Sequence, residues 1–199
     1  MPAGRAALGL ALGLVITFTG GHTATFGLIV FGGYAVLSGL FLFAATFGPR
    51  AVAQARTGFR VHAVVSLAAG IAALAITGGG IGYLVVVLSG WAILTGALEL
   101  VSGIRARGAV RVATDWIAVG ALTVVLGIVI LVIPPDISQS FEGDKDVTGL
   151  LTSPIIVIGV LGAWAVITGV LQAISAATPK YGSSASSAVG EQHPTGIAS

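Results

Sequence analysis

The sequence predicts an all-α membrane protein: six transmembrane helices arranged as three tandem helical hairpins, with both termini in the cytoplasm. Three observations lead to that expectation. The 199 residues are 56% hydrophobic and only 8% charged, with a mean hydropathy of +1.05, whereas a soluble domain carries about a quarter charged residues. So little charge cannot cover a surface in water, and lipid is therefore the solvent for most of the chain. Six apolar runs also follow one another, and the basic residues sort into alternate loops.

The runs cover roughly Ala6–Thr19, Thr25–Phe47, Val61–Thr77, Gly80–Ile104, Val112–Ile133 and Pro154–Ala177; crossing the hydrocarbon core takes about 17–25 residues. The first run is the shortest. Arg5 followed by an apolar stretch also fits the start of a secretory leader, but the small-x-small cleavage pattern is poor and the repeat described below uses this segment, so a retained helix is expected. Eight of the nine Lys and Arg residues fall on one side: Arg5, then Arg50, Arg56 and Arg60, then Arg105, Arg107 and Arg111, then Lys180. The positive-inside rule assigns that side, and with it both termini, to the cytoplasm. The membrane domain is expected over 1–178, with hairpins at about 5–48, 60–105 and 111–177. The tail over 179–199, rich in Ser, Gly, Ala and Pro, lacks the bulky apolar residues a core requires and is expected to be disordered.

An internal repeat is the most specific feature. Gly32-Gly33-Tyr34-Ala35-Val36-Leu37-Ser38-Gly39, Ser89-Gly90-Trp91-Ala92-Ile93-Leu94-Thr95-Gly96 and Gly162-Ala163-Trp164-Ala165-Val166-Ile167-Thr168-Gly169 share one pattern. It reads small, small, aromatic, Ala, aliphatic, aliphatic, hydroxyl, Gly. Gly13, Gly70 and Gly127 lie 57 residues apart, as do Gly39 and Gly96; the step to Gly169 is 73, the excess matching the long outer loop. Small residues recur every seven positions: Gly82, Ser89, Gly96 and Gly103 on the fourth helix, Gly162, Gly169 and Ala176 on the sixth, Ala63, Gly70 and Thr77 on the third, Gly120 and Gly127 on the fifth. Such a stripe predicts a close packing seam, with Gly13, Gly39, Gly70, Gly96, Gly127 and Gly169 in it. Ser38, Thr95 and Thr168 lie beside the seam, placed to hydrogen-bond across it. The aromatics Tyr34, Trp91 and Trp164 read as packing wedges opposite it.

The tripled Gly-aromatic-Ala-aliphatic-aliphatic-Ser/Thr-Gly helix, in a six-helix chain of this length, resembles the HdeD-like acid-resistance membrane proteins, built from short two-helix repeats. The resemblance covers Arg5 to Ala177 and is strongest over Leu88–Arg105 and Ile158–Ala176. It implies a multi-pass protein of the bacterial inner (plasma) membrane, linked in some members to acid stress. It carries over no catalytic residue.

Candidate chemistry is sparse. The chain has no cysteine, which excludes disulfides and thiolate sites. A net charge of +2 argues against nucleic acid as a partner. No Walker loop, zinc-protease helix or nucleophile elbow occurs, so neither an enzyme nor a cofactor or metal is expected. Asp136, Glu142, Asp144 and Asp146 in the outer loop Pro134–Ser153 lack the EF-hand spacing and read as solvated charge. Ionisable residues within membrane helices are functional suspects. Glu99 lies in the cytoplasmic half of the fourth helix, either paired with a loop arginine or buried and titrating; Leu42 and Gln172 stand at its equivalent positions. Asp115, four residues after Arg111, has the spacing of a same-face pair. His62 lies beside Arg60. If Glu99, Asp115 and His62 converge, they form a small proton-handling cluster.

The expected function is that of a non-enzymatic, HdeD-like integral membrane protein, stress-related or an accessory subunit, with lipid, other membrane proteins or its own copies as partners. The alternative is a small proton-linked transporter or channel using Glu99. Transporters place broken helices and polar groups near the midplane, where this chain has aliphatic residues, Gly and Ser/Thr.

Overall fold

The computed structural model describes residues 2–47, 53–108, 113–142 and 148–177. Six helices run in order: α1 (Pro2–Phe18), α2 (Ala24–Ala45), α3 (Ala53–Ala75), α4 (Gly80–Arg105), α5 (Ala113–Val132) and α6 (Ser153–Ala177). Five are long and apolar enough to cross a membrane, and α1 is a shorter apolar helix. Large apolar side chains face outward all round, among them Phe18, Leu37, Val64, Val86, Leu131 and Ile174. A surface of that kind is stable only against lipid. The chain is a helical membrane protein.

Helix boundaries follow local chemistry. The Thr23 hydroxyl accepts the Phe26 amide at 3.1 Å and caps α2, after a turn in which Gly21 takes φ +79°. The turn into α4 passes through Gly80 at φ +71°, a conformation L side chains rarely adopt. Helix α3 starts eight residues before its apolar run, with Ala55 and Phe59 buried and Arg56 and Arg60 outside. Likewise α1 begins at Pro2, which puts Arg5 inside the helix and not ahead of it.

The loop between α5 and α6 departs from the all-α expectation. It holds an antiparallel β-hairpin, β1 (Ser138–Glu142) with β2 (Thr148–Thr152), in register Ser138↔Thr152 through Glu142↔Thr148. Pro134 and Pro135 follow α5 and prevent its continuation. Ser153, fully buried, clamps the base: its Oγ accepts from the Ile137 amide at 2.9 Å and donates to the Pro134 carbonyl at 2.7 Å. Asp136 is exposed, as expected of solvated charge; the Glu142 side chain, Asp144 and Asp146 lie outside the described residues, as does the segment 178–199.

The helices close into a ring. The most extensive packing joins α2 to α3, α4 to α5 and α6 to α1, with looser packing of α1 on α2, α3 on α4 and α5 on α6. The tight seams therefore lie between neighbouring hairpins, and the third hairpin returns to the first. All three seams are antiparallel and made by the seven-residue stripe. A Cβ at Gly39 would sit 2.9 Å from the Ala63 carbonyl, and one at Gly70 2.8 Å from the Gly32 carbonyl. One at Gly96 would sit 2.8 Å from the Gly120 carbonyl, and one at Gly127 3.0 Å from the Ser89 carbonyl. In the closing seam Gly169 faces the Leu10 amide at 3.0 Å, while Gly13 meets the Val166 side chain. Gly82 departs from the expected stripe: a Cβ there would meet no neighbouring helix within 4 Å, since α4 has there run past the end of the seam.

This geometry ranks the glycines. A methyl at Gly120 would lie 2.5 Å from the Leu100 amide and 2.8 Å from the Gly96 carbonyl, backbone atoms that cannot rotate away. Gly120→Ala is expected to cost about 1–3 kcal/mol by overpacking, and Gly82→Ala nothing measurable. Thermal unfolding in mild detergent checks this; equal midpoints for the two variants would contradict the seam.

Candidate functional site

The repeat arithmetic places polar residues at one level of the ring. On the odd-numbered helices Arg5, His62 and Val119 are 57 residues apart; on the even-numbered ones Leu42, Glu99 and Gln172 occupy a single register. Only one carboxylate and two basic side chains stand among these six positions. Glu99 is 2% exposed, and its partner is Arg5, reaching across from α1. The pair is bidentate, Nη1 to Oε1 at 2.5 Å and Nη2 to Oε2 at 2.8 Å, the fork-to-fork geometry that gives arginine–carboxylate pairs their strength. The loop-arginine reading of Glu99 is thus corrected: Arg105 and Arg107 are exposed, and Arg111 and Arg50 lie outside the described residues.

His62 is also buried, and its Nδ1 has no hydrogen-bond partner among the described residues. Arg5, Glu99 and His62 line one pocket together with Tyr34, Ser38, Trp91, Thr95, Thr123 and Trp164. The room clear of atoms suffices for about one water molecule. Asp115 does not join them. Its carboxylate accepts a hydrogen bond from the Ser175 hydroxyl on α6, so of the three residues expected to converge the structure brings together two and supplies Arg5 as the third.

Above this level the repeat aromatics meet on the ring axis. Tyr34, Trp91 and Trp164 contact one another edge to face, with centroids 6.1, 6.0 and 5.7 Å apart, each pair contributing about 0.5–1.5 kcal/mol beyond burial. They pack against one another and do not stand as separate wedges. Trp91 Nε1 donates to Ser66 Oγ on α3 at 3.0 Å, and Trp164 Nε1 to Thr123 Oγ1 on α5 at 3.1 Å. Ser66 and Thr123 are themselves 57 residues apart; Gly9 stands at the corresponding place on α1 and packs against Ala165 and Gly169 of α6, and Tyr34 has no indole N–H. Within the repeated motif the cross-helix bonds thus come from the indoles. Thr95 and Thr168 instead donate back to the Trp91 and Trp164 carbonyls of their own helices, at 2.7 and 2.8 Å, a correction to the expected role of the hydroxyls.

Beyond the aromatics, toward the end carrying the Gly78–Gly80 turn and the β-hairpin, the axis is apolar: Leu28, Phe31, Leu84, Leu88, Ile130, Ile158 and Leu161 are all essentially fully buried. At the opposite end Leu42, Ala55, Phe59 and Ala63 form a second cluster with Trp116 against it. Phe59 and Trp116 meet edge to face at 4.8 Å. The Arg5 side chain is 15% exposed against 2% for Glu99. No group of three or more His, Cys, Asp and Glu suited to a metal occurs among the described residues.

These features define a repeat-built helical membrane protein with an axis filled by aromatic and apolar side chains and, among the described residues, one buried ion pair. Residues 61–132, from α3 through α5, match the family model described as a short repeat of unknown function, DUF308. No curated protein and no solved structure matches the chain.

Glu99→Gln leaves the Arg5 guanidinium buried without its counter-charge. The expected loss is roughly 3 kcal/mol, the low end for broken buried pairs because Arg5 keeps some exposure. Replacing both residues, Arg5→Met with Glu99→Leu, restores most of it. Detergent unfolding of the three variants checks the pairing; additive losses would show that the two side chains do not interact.

Proposed function

We propose that this chain is a non-enzymatic, HdeD-like integral protein of the bacterial inner membrane. In this reading it spans the bilayer six times with both termini in the cytoplasm and serves as a stress-related or accessory component. The observation that supports a packing role over a conducting one is the closed axis. Three aromatics in mutual contact and a fully buried apolar layer fill it, and among the described residues there is no broken helix of the kind transporters use. HdeD-like proteins carry the repeat that matches residues 61–132, in keeping with the resemblance of the tripled motif. The clustering of Arg56, Arg60, Arg105 and Arg107 on one side supports the orientation. Helix α1, about 25 Å long at 1.5 Å per residue, spans most of the core and lies antiparallel along α6 over its length.

The second reading, a proton-linked transporter or channel, is favoured by the burial of Glu99 and His62 alone. A pH-sensitive dye trapped in proteoliposomes distinguishes the two. Lumenal pH is expected to hold after an external acid step, as in protein-free vesicles. Acidification that Glu99→Gln abolishes would establish the transporter instead. Orientation is read separately, from impermeant thiol labelling of single cysteines at Arg56 and Gly79 in intact cells: Gly79→Cys is labelled and Arg56→Cys is not.

A further inference from the structure

His62 is unusual in this bundle. Buried polar side chains are satisfied as a rule, and every other buried side-chain nitrogen or oxygen among the described residues has a partner. Its Nδ1 faces none, yet the side chain lines a pocket that has room for about one water molecule and contains a carboxylate. The repeat register gives the reason for its position: His62 on α3 and Arg5 on α1 are equivalent places, 57 residues apart, and both accompany Glu99 in one pocket. Glu99 thus has two basic neighbours, one permanently charged and one able to gain or lose a proton.

We infer that the pocket is a proton-binding site open to one side only: His62 takes a proton from water admitted past Arg5, and Glu99 holds the resulting imidazolium. In the step, hydronium gives its proton to the unprotonated ring nitrogen, leaving water and imidazolium, and the net charge of the pocket goes from zero to +1. The titratable and charged groups facing His62 are Arg5 from α1, Tyr34 from α2 and Glu99 from α4; α5 and α6 contribute only Thr123 and Trp164. The aromatic triad and the apolar layer beyond it separate the site from the β-hairpin end, and that one-sidedness rests on the sealed-axis reading above. The chemistry is that of a sensor of proton concentration on the Arg105 side and not of a conduit.

The test uses the full chain with ¹⁵N-labelled histidine in liposomes of fixed orientation. It has three histidines, His22, His62 and His193, and His62→Gln identifies the resonance. The His62 signal is expected to shift from imidazole to imidazolium between pH 8 and 4, following the buffer on the Arg105 side alone. Glu99→Gln should require at least a tenfold higher proton concentration for the same change. Where that variant folds poorly, Arg5→Gln with Glu99→Gln is compared with Arg5→Gln alone, so that only Glu99 differs. Absence of any transition, a transition that follows the β-hairpin side, or one indifferent to loss of Glu99 would overturn the inference. Lumenal acidification is an independent readout: it would refute the sealed axis, whereas the His62 resonance decides proton binding.

Discussion

Lipid tails are as apolar as the side chains they touch, so burial does not press one membrane helix against another, and association depends on close packing and a few hydrogen bonds. Everything in this protein depends on how that constraint is met at three antiparallel seams, where glycine lets backbone touch backbone. The seam between α6 and α1 matters most, because it turns a row of helices into a ring. Only with the ring closed do Tyr34, Trp91 and Trp164 face one another, and only then does Arg5 on the first helix reach Glu99 on the fourth.

Closure also explains how a buried ion pair is tolerated. A guanidinium and a carboxylate taken from water into this interior carry a large desolvation cost, offset only by good geometry and further hydrogen bonding. The two parallel bonds of Arg5 to Glu99 provide that geometry. The pair stabilises the ring relative to a broken pair and fixes the register of α1, the helix with the shortest apolar run. The aromatic triad acts differently. It fills the axis with side chains of which the two indole N–H groups are already engaged by Ser66 and Thr123.

Much of this was legible in the sequence. The apolar runs, the 57-residue repeat and the glycine stripe are patterns in residue type, and they report directly on helices and on contacts that recur in each repeat. Contacts made only once leave no such pattern. The α6–α1 closure joins the two ends of the bundle and has no local trace, so Arg5 reads as a flanking charge and Glu99 as a partner for loop arginines. The repeat arithmetic did contain a signal, since Arg5 falls 57 residues before His62. The β-hairpin is hidden because five-residue strands between charged and glycine residues carry too little alternation to stand out from a solvated loop. Asp115 groups with Glu99 and His62 on depth alone, and depth does not tell which face of a helix a side chain occupies.

The ring closure can be measured directly. The chain has no native cysteine, and a Cβ at Gly162 would stand 3.4 Å from that of Ile16, close to the separation a disulfide spans. Ile16→Cys with Gly162→Cys also removes the Ile16 methyl that would otherwise crowd the new side chain. Mild oxidation in native membranes, followed by cleavage at a protease site inserted in the loop after α4, should leave the two halves joined until a reductant is added. Separation of the halves without reductant, in a protein that remains folded, would mean that α1 does not lie against α6 and that the bundle is open.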